Sequence, residues 1–164
     1  MDDLLNNPGG RLLGRGYAGL WADTNPKASV SRTNEGAPVI DFGFAVARGA
    51  DSTKCKRVTV NGDTIVGIAV RNAAIAPYAT ATGEVTYEQN KIVAIGKMGR
   101  MFVTALENAV EGDAVIAVVA SGGALGSTTG GAAGAGRIAI TGAKWAEAVT
   151  AGAIGIIEFN LLGA

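Results

Sequence analysis

A mainly β protein is the fold class this sequence predicts: an antiparallel β-sandwich or barrel-like body preceded by an extended N-terminal arm. Three observations predict it. From residue 39 onward, short β-branched segments recur about every 10 to 15 residues with Gly, Asn and Asp between them, the spacing of an antiparallel sandwich or barrel rather than of βαβ units. No segment sustains an amphipathic 3.6-residue stripe over three turns. The first 37 residues are crowded with Gly, Asn and Pro and hold no period at all. With 164 residues, about two-thirds of the chain's surface can be buried, so one domain can build a core without disulfides or metals. The organisation read from this is an arm at residues 1–37 and a β body at 38–164.

Taken in order, the arm comes first. Its backbone-permissive composition would suit a solvated tail, yet it carries Leu12, Leu13, Tyr17, Leu20 and Trp21, which such a tail does not need. A segment that docks on a surface, its own or a neighbour's, reconciles the two. Residues 39–48 alternate loosely around Gly43. Residues 58–60 are β-branched, and Asn61-Gly62-Asp63 signals a turn into 64–71, which together suggest a hairpin. Further strands are expected at 83–88, 91–97, 100–106, 114–120, 137–141, 144–149 and 154–161, with 101–110 also able to form a brief helix. The stretch 121–136, SGGALGSTTGGAAGAG, has almost no large side chains and reads as a mobile loop, either a contact loop or a tolerated insertion between strands.

Composition removes several classes of function. Fourteen Lys and Arg balance fourteen Asp and Glu, so the general phosphate attraction behind nucleic-acid binding has no source, and no nucleic-acid partner is expected. Histidine is absent, which takes away the commonest general base and most zinc and haem sites. The one cysteine, Cys55, lies in the basic run Lys54, Lys56, Arg57; it is either a strand-edge thiol in a reducing compartment or a thiol with a lowered pKa. Met1 is followed by two aspartates rather than a charged-then-apolar leader, and the longest apolar run, 114–120, is too short to span a bilayer. A soluble chain made in a cytoplasm, with no membrane partner, is the expectation.

Motifs for chemistry are weak. Residues 14–19, GRGYAG, match G-x-G-x-x-G through Gly14, Gly16 and Gly19, but Asn25-Pro26 follows before a phosphate-binding helix could form. A phosphate loop around Gly96-Lys97 would need glycine where Lys91 stands, and Met98 follows instead of Ser or Thr. Ser121 has no base to take its proton. Glu107, Glu111 and Asp113 are the only dense acids, and Glu111-Gly112-Asp113 reads as a strand-entry turn with Asp113 bonding its own backbone. Catalytic, cofactor and metal residues are therefore not assigned. The partner-binding candidates are Arg11, Leu12, Arg15, Tyr17, Leu20, Trp21 and Arg32, because arginine beside aromatic residues is the composition enriched at interface hot spots. Lys54, Lys56 and Arg57 form a local positive patch, either a solvated strand edge or a complement to an acidic partner.

Several pieces, in their order, resemble a known family. They are Gly19, Ala22 and Asp23; the Arg32 region leading to IDFGFAVARG with Gly43, Val46, Arg48 and Gly49; GIAVR from Gly67 to Arg71; VEGDAV from Val110 to Val115; and the closing GAKWAEAVTAGAIGIIEF with Trp145 and Gly152. This pattern is similar to the head decoration, or cement, proteins of tailed bacteriophages. The resemblance implies a homotrimer without an active site, made in the bacterial host cytoplasm. It also implies a place on the exterior of the virion head, where the protein bridges major capsid protein subunits against the pressure of packaged DNA. The 121–136 stretch departs from the family pattern. A tail or baseplate β module is the alternative structural role.

Overall fold

The structure is a computed structural model that describes residues 16–24, 26–71 and 86–163. It contains eleven strands: β1 (Ala28–Asn34), β2 (Ile40–Asp41), β3 (Ala45–Arg48), β4 (Lys54–Arg57), β5 (Ile65–Ala69), β6 (Thr86–Tyr87), β7 (Ile92–Thr104), β8 (Ala114–Val118), β9 (Ala124–Ser127), β10 (Arg137–Trp145) and β11 (Ile154–Asn160). Nine of them form one sheet in the order β1-β4-β3-β5-β7-β11-β10-β8-β9, and β1 also pairs with β7. That extra pairing closes β1, β4, β3, β5 and β7 into a five-stranded barrel. At the far end, a parallel bridge between Ala105 and Leu125 and the Leu106 N–H donated to the Leu125 carbonyl at 2.8 Å bring β9 back to the end of β7. The molecule is thus two barrels sharing one long strand, and the expected mainly β body is present.

β7 can serve both barrels because it is thirteen residues long and carries glycine at the two places where neighbours crowd it. Its first half pairs with β1 and β5, and its second half with β11. Gly96 meets Gly67 of β5 so closely that a Cβ on Gly67 would strike the Gly96 carbonyl. The first barrel is filled by Val46, Cys55, Val66, Ala69, Val93 and Ile95, with Ile40 and Tyr87 from the β2–β6 pair and Phe42 just past β2. Phe42 and Tyr87 meet edge to face at 5.1 Å, and the Tyr87 hydroxyl donates to the Val70 carbonyl at 2.6 Å. The opposite faces of β3 and β5 turn Ala45, Ala47 and Ile68 into the second core, with Met101, Val103, Leu125, Trp145, Ile157 and Phe159. This explains why β5 is buried at every position and reads as a continuous apolar run rather than an alternating one.

Several expectations are corrected. β4 and β5 do not form a hairpin: β3 lies between them and pairs with both. Residues 58–60 are not a strand; the Thr59 and Val60 amides donate to the Asp63 carboxylate and turn the chain. Segments 91–97 and 100–106 fall on one continuous strand, 137–141 runs on through Lys144 and Trp145 as β10 while 146–149 leave the strand, and no helix forms at 101–110. Within the arm, residues 28–34 are a body strand. Of the strand expected at 83–88, residues 83–85 lie outside the described residues.

The stretch 121–136 is only in part a loop: 128–136 is a largely exposed run of turns, but the residues before it are ordered into the body. Ala124–Ser127 is a strand buried at all four positions, and Leu125 lies in the core. The Trp145 indole N–H donates to the Gly126 carbonyl at 3.1 Å, and the Ser127 hydroxyl donates to the Asn108 carbonyl at 2.6 Å. Small residues here give close approach rather than slack. A side chain at Gly122, where φ is +68°, would collide with the Arg57 guanidinium.

Candidate partner-binding surface

The described root of the arm docks on the protein itself. Gly19 donates to the Phe102 carbonyl at 2.7 Å, Phe102 to Leu20 at 2.9 Å and Ala22 to Arg100 at 2.8 Å, so residues 19–22 run along β7 as a short added strand. Arg71 closes the other side by donating to the Gly19 carbonyl at 2.7 Å. Trp21 is the fixing side chain. It stacks on Phe159 at 6.2 Å, lies under the Lys27 ammonium at 5.6 Å and fits against Gly99, where a Cβ would come within 2.7 Å of the indole. Glycine fits that site twice over, since its φ is +135°.

This also accounts for the described part of the GRGYAG motif. Gly16 (φ +58°) sits on the Phe102 ring, and Gly19 (φ +83°) is wedged between Phe42 and the backbone of Ala69 and Arg71. These glycines allow arm and body to touch, and among the described residues no helix follows them to form a phosphate cradle.

The candidate residues therefore separate. Trp21 holds the arm root to its own body. Leu20 is half-buried beside it, and Tyr17 is 45% exposed with its ring beneath the Arg71 guanidinium at 4.8 Å. Arg11, Leu12 and Arg15 lie outside the described residues. Arg32 is not part of a free arm: it is on β1, directly across from Val93, and cross-strand partners share a face. Val93 faces the interior of the first barrel, so Arg32 does too.

Two cations that sequence reasoning missed share that face. Arg48 lies directly across from the buried Cys55. Lys97 follows Val93 and Ile95 at two-residue spacing and is only 7% exposed. Burial pulls the Lys97 ammonium below its ordinary pKa, and the charges of Arg32 and Arg48 pull it further. The signal was available as the period-2 series Val93, Ile95, Lys97, in which a cation continues an inward row.

The basic run Lys54, Lys56, Arg57 is dispersed. Lys54 is 3.6 Å from Asp51, Lys56 is 2.7 Å from Asp63, and Arg57 packs under Gly122. β4 lies between β1 and β3 rather than at a sheet edge. Cys55 is accordingly buried, and burial outweighs the nearby Arg32 charge, pushing the thiol up to about 11. The thiol is the opposite of an activated one. The acids are engaged as well. Glu107 takes a two-pronged ion pair from Arg137 at 2.6 and 2.7 Å. Asp113 accepts from the Val110 amide and from the Thr128 and Thr129 hydroxyls, which makes Glu111-Gly112-Asp113 the turn its sequence suggests.

The described arm root is thus fixed along a double barrel, with Glu107 ion-paired to Arg137 and Asp113 held in its turn. The family model described as structural cement protein (E217 gp24/Pam3 gp6) matches residues 7–160. The chain belongs to the phage structural cement proteins. Among solved structures, this cement protein is similar to a chain from the capsid of Myoviridae phage XM1, with a TM-score of 0.67 and 18% identity over 90% of this chain and 92% of that one. At that identity the likeness concerns the fold. No curated protein matches the cement protein's sequence. Membership makes it a bacteriophage structural protein with a capsid-related role, found in the virion.

Proposed function

We propose that the protein decorates the exterior of the phage head, binding the outer surface of the major capsid protein lattice and stabilising it against the pressure of packaged DNA, and that it catalyses no reaction. The observation that carries this is the family match across residues 7–160. Synthesis in the host cytoplasm and assembly as a homotrimer belong to the same reading. Mechanically, a subunit that touches two or three lattice neighbours gains effective concentration once the first contact forms, so modest contacts sum to firm attachment. Residues 19–22 are already ordered against the body, so contacts made from the arm root carry little further ordering cost. Arg11, Leu12 and Arg15, with Tyr17 and Leu20 at the root and Arg32 on β1, are the contacts this reading assigns to the shell.

The test uses heads purified without the protein. Full-length protein should bind them in many copies that scale with the capsid subunit, and a chain lacking residues 1–15 should stay folded and bind much more weakly. Deletion through residue 30 is a poor substitute, because it removes Trp21 and part of β1, which closes the first barrel. Undiminished binding by the shortened chain would overturn the arm's role. A few copies at the tail would overturn the head assignment in favour of a tail or baseplate module. Light scattering that shows monomer in solution and density that shows monomer on the head would overturn the trimer.

A further inference from the structure

Two independent features meet at the open end of the first barrel. The first is a free strand edge. β1 pairs with β7 from Ala28 to Thr33, but on its other side it meets β4 only at Thr33 and Asn34. The Thr33 amide donates across that side to the Thr53 carbonyl at 2.9 Å. By the alternation of an antiparallel ladder, the amides of Ser31 and Ser29 point the same way, where no strand among the described residues receives them. Ser29, Val30 and Ser31 are all exposed, and Val30 presents an apolar side chain at 40% exposure.

The second feature is charge. Three cations converge at this end, with Lys97 buried, Arg32 half-buried and Arg48 exposed at the rim. The Arg32 Nη1 atom is buried and has no hydrogen-bond partner. Among the described residues, neither Arg32 nor Arg48 has an ion-pair partner. Glu35 accepts the Ala50 amide at 2.9 Å, and Asp51 accepts from Thr53 and pairs with Lys54. A buried guanidinium nitrogen without an acceptor is unfavourable unless something supplies one.

We propose that the β1 edge, Ala28–Arg32, receives an extended acid-bearing segment of the shell protein as an added strand, with a carboxylate of that segment meeting Arg32 and Arg48. An added strand satisfies the free amides, and its residue opposite Arg32 lies on the face where the cations converge. A basic or purely apolar segment would leave the Arg32 nitrogen unsatisfied, so the charge selects an acidic occupant. This proposal rests on the head-binding reading and names the partner chemistry of one of its contacts.

The experiment compares full-length wild type with the double variant Arg32→Gln, Arg48→Gln for binding to heads purified without the protein. Binding by the variant should fall about tenfold or more, while its melting temperature in free solution rises because like-charge repulsion around Lys97 is relieved. The charge-keeping variant Arg32→Lys, Arg48→Lys should retain most of the binding. Hydrogen exchange at Ser29 and Ser31 should slow on heads. Wild-type binding together with an unaffected double variant, or exchange at Ser29 and Ser31 unchanged on heads, would overturn this proposal and leave the decoration reading standing. Wild type that does not bind heads at all would overturn both.

Discussion

The two barrels share β7 yet are built for different ends. The second is lined by Met101, Val103, Leu125, Trp145, Ile157 and Phe159, with glycines that let strands close in, and its prominent ion pair, Glu107 with Arg137, is a two-pronged clasp. The first has a smaller apolar filling, a buried thiol, a buried lysine and two arginines at an incompletely paired end. The difference teaches where each property resides. The second barrel holds the larger apolar core, and the first carries a buried guanidinium nitrogen, Arg32 Nη1, without a hydrogen-bond partner.

The largest loss of stability is expected from Trp145→Ala in the second barrel. It removes a fully buried ring and its hydrogen bond to Gly126, and should cost about 4 kcal/mol in urea unfolding. A loss under about 1 kcal/mol would mean that the second barrel is not the stabilising half. Trp21→Ala comes next, at about 2 kcal/mol, since Trp21 is half-buried. It should speed proteolysis at the arm root while leaving the exchange protection of β8 to β11 unchanged, as native-state hydrogen exchange can read.

Glu107→Gln is smaller, about 1 to 2 kcal/mol at neutral pH, because it loses the charge-assisted pair but keeps the shape. Its pH dependence gives the sign. The hydrogen bond from Arg137 holds the Glu107 carboxyl below its ordinary value of 4.5, although partial burial opposes this. The stabilisation is therefore complete above the unfolded value and lost as pH falls through the lower folded one. Wild type should lose stability below about pH 4.5, and the variant should lose less over the same range. The smallest effect belongs to Val30→Ser at the free edge, within about 0.5 kcal/mol of wild type. A larger loss would show Val30 packed rather than presented.

Much of this was legible in the chain. β-branched runs between turn signals located most strands, because alternation and turn chemistry are local properties. The pairing was not legible. Asn61-Gly62-Asp63 looked like a hairpin turn, but β3 inserts between β4 and β5, a long-range choice that no dipeptide encodes. Ala124–Ser127 is hard to read because small residues carry little apolar area of their own, whereas Gly126 and its neighbours let β9 lie against Trp145 and Glu107. Arg32 was found for its company in the arm. Its placement, and the convergence of Arg48 and Lys97 with it, depended on β1 closing a barrel.

Reinforcement of a filled head from outside, as proposed for this cement protein, is read out by DNA release from heated heads. DNA-filled heads prepared without the protein, then mixed with full-length chain, should hold their DNA to a higher temperature, with the gain saturating at a copy number tied to the capsid lattice. An unchanged release temperature with the protein demonstrably bound, or no binding to the head at all, would contradict the account.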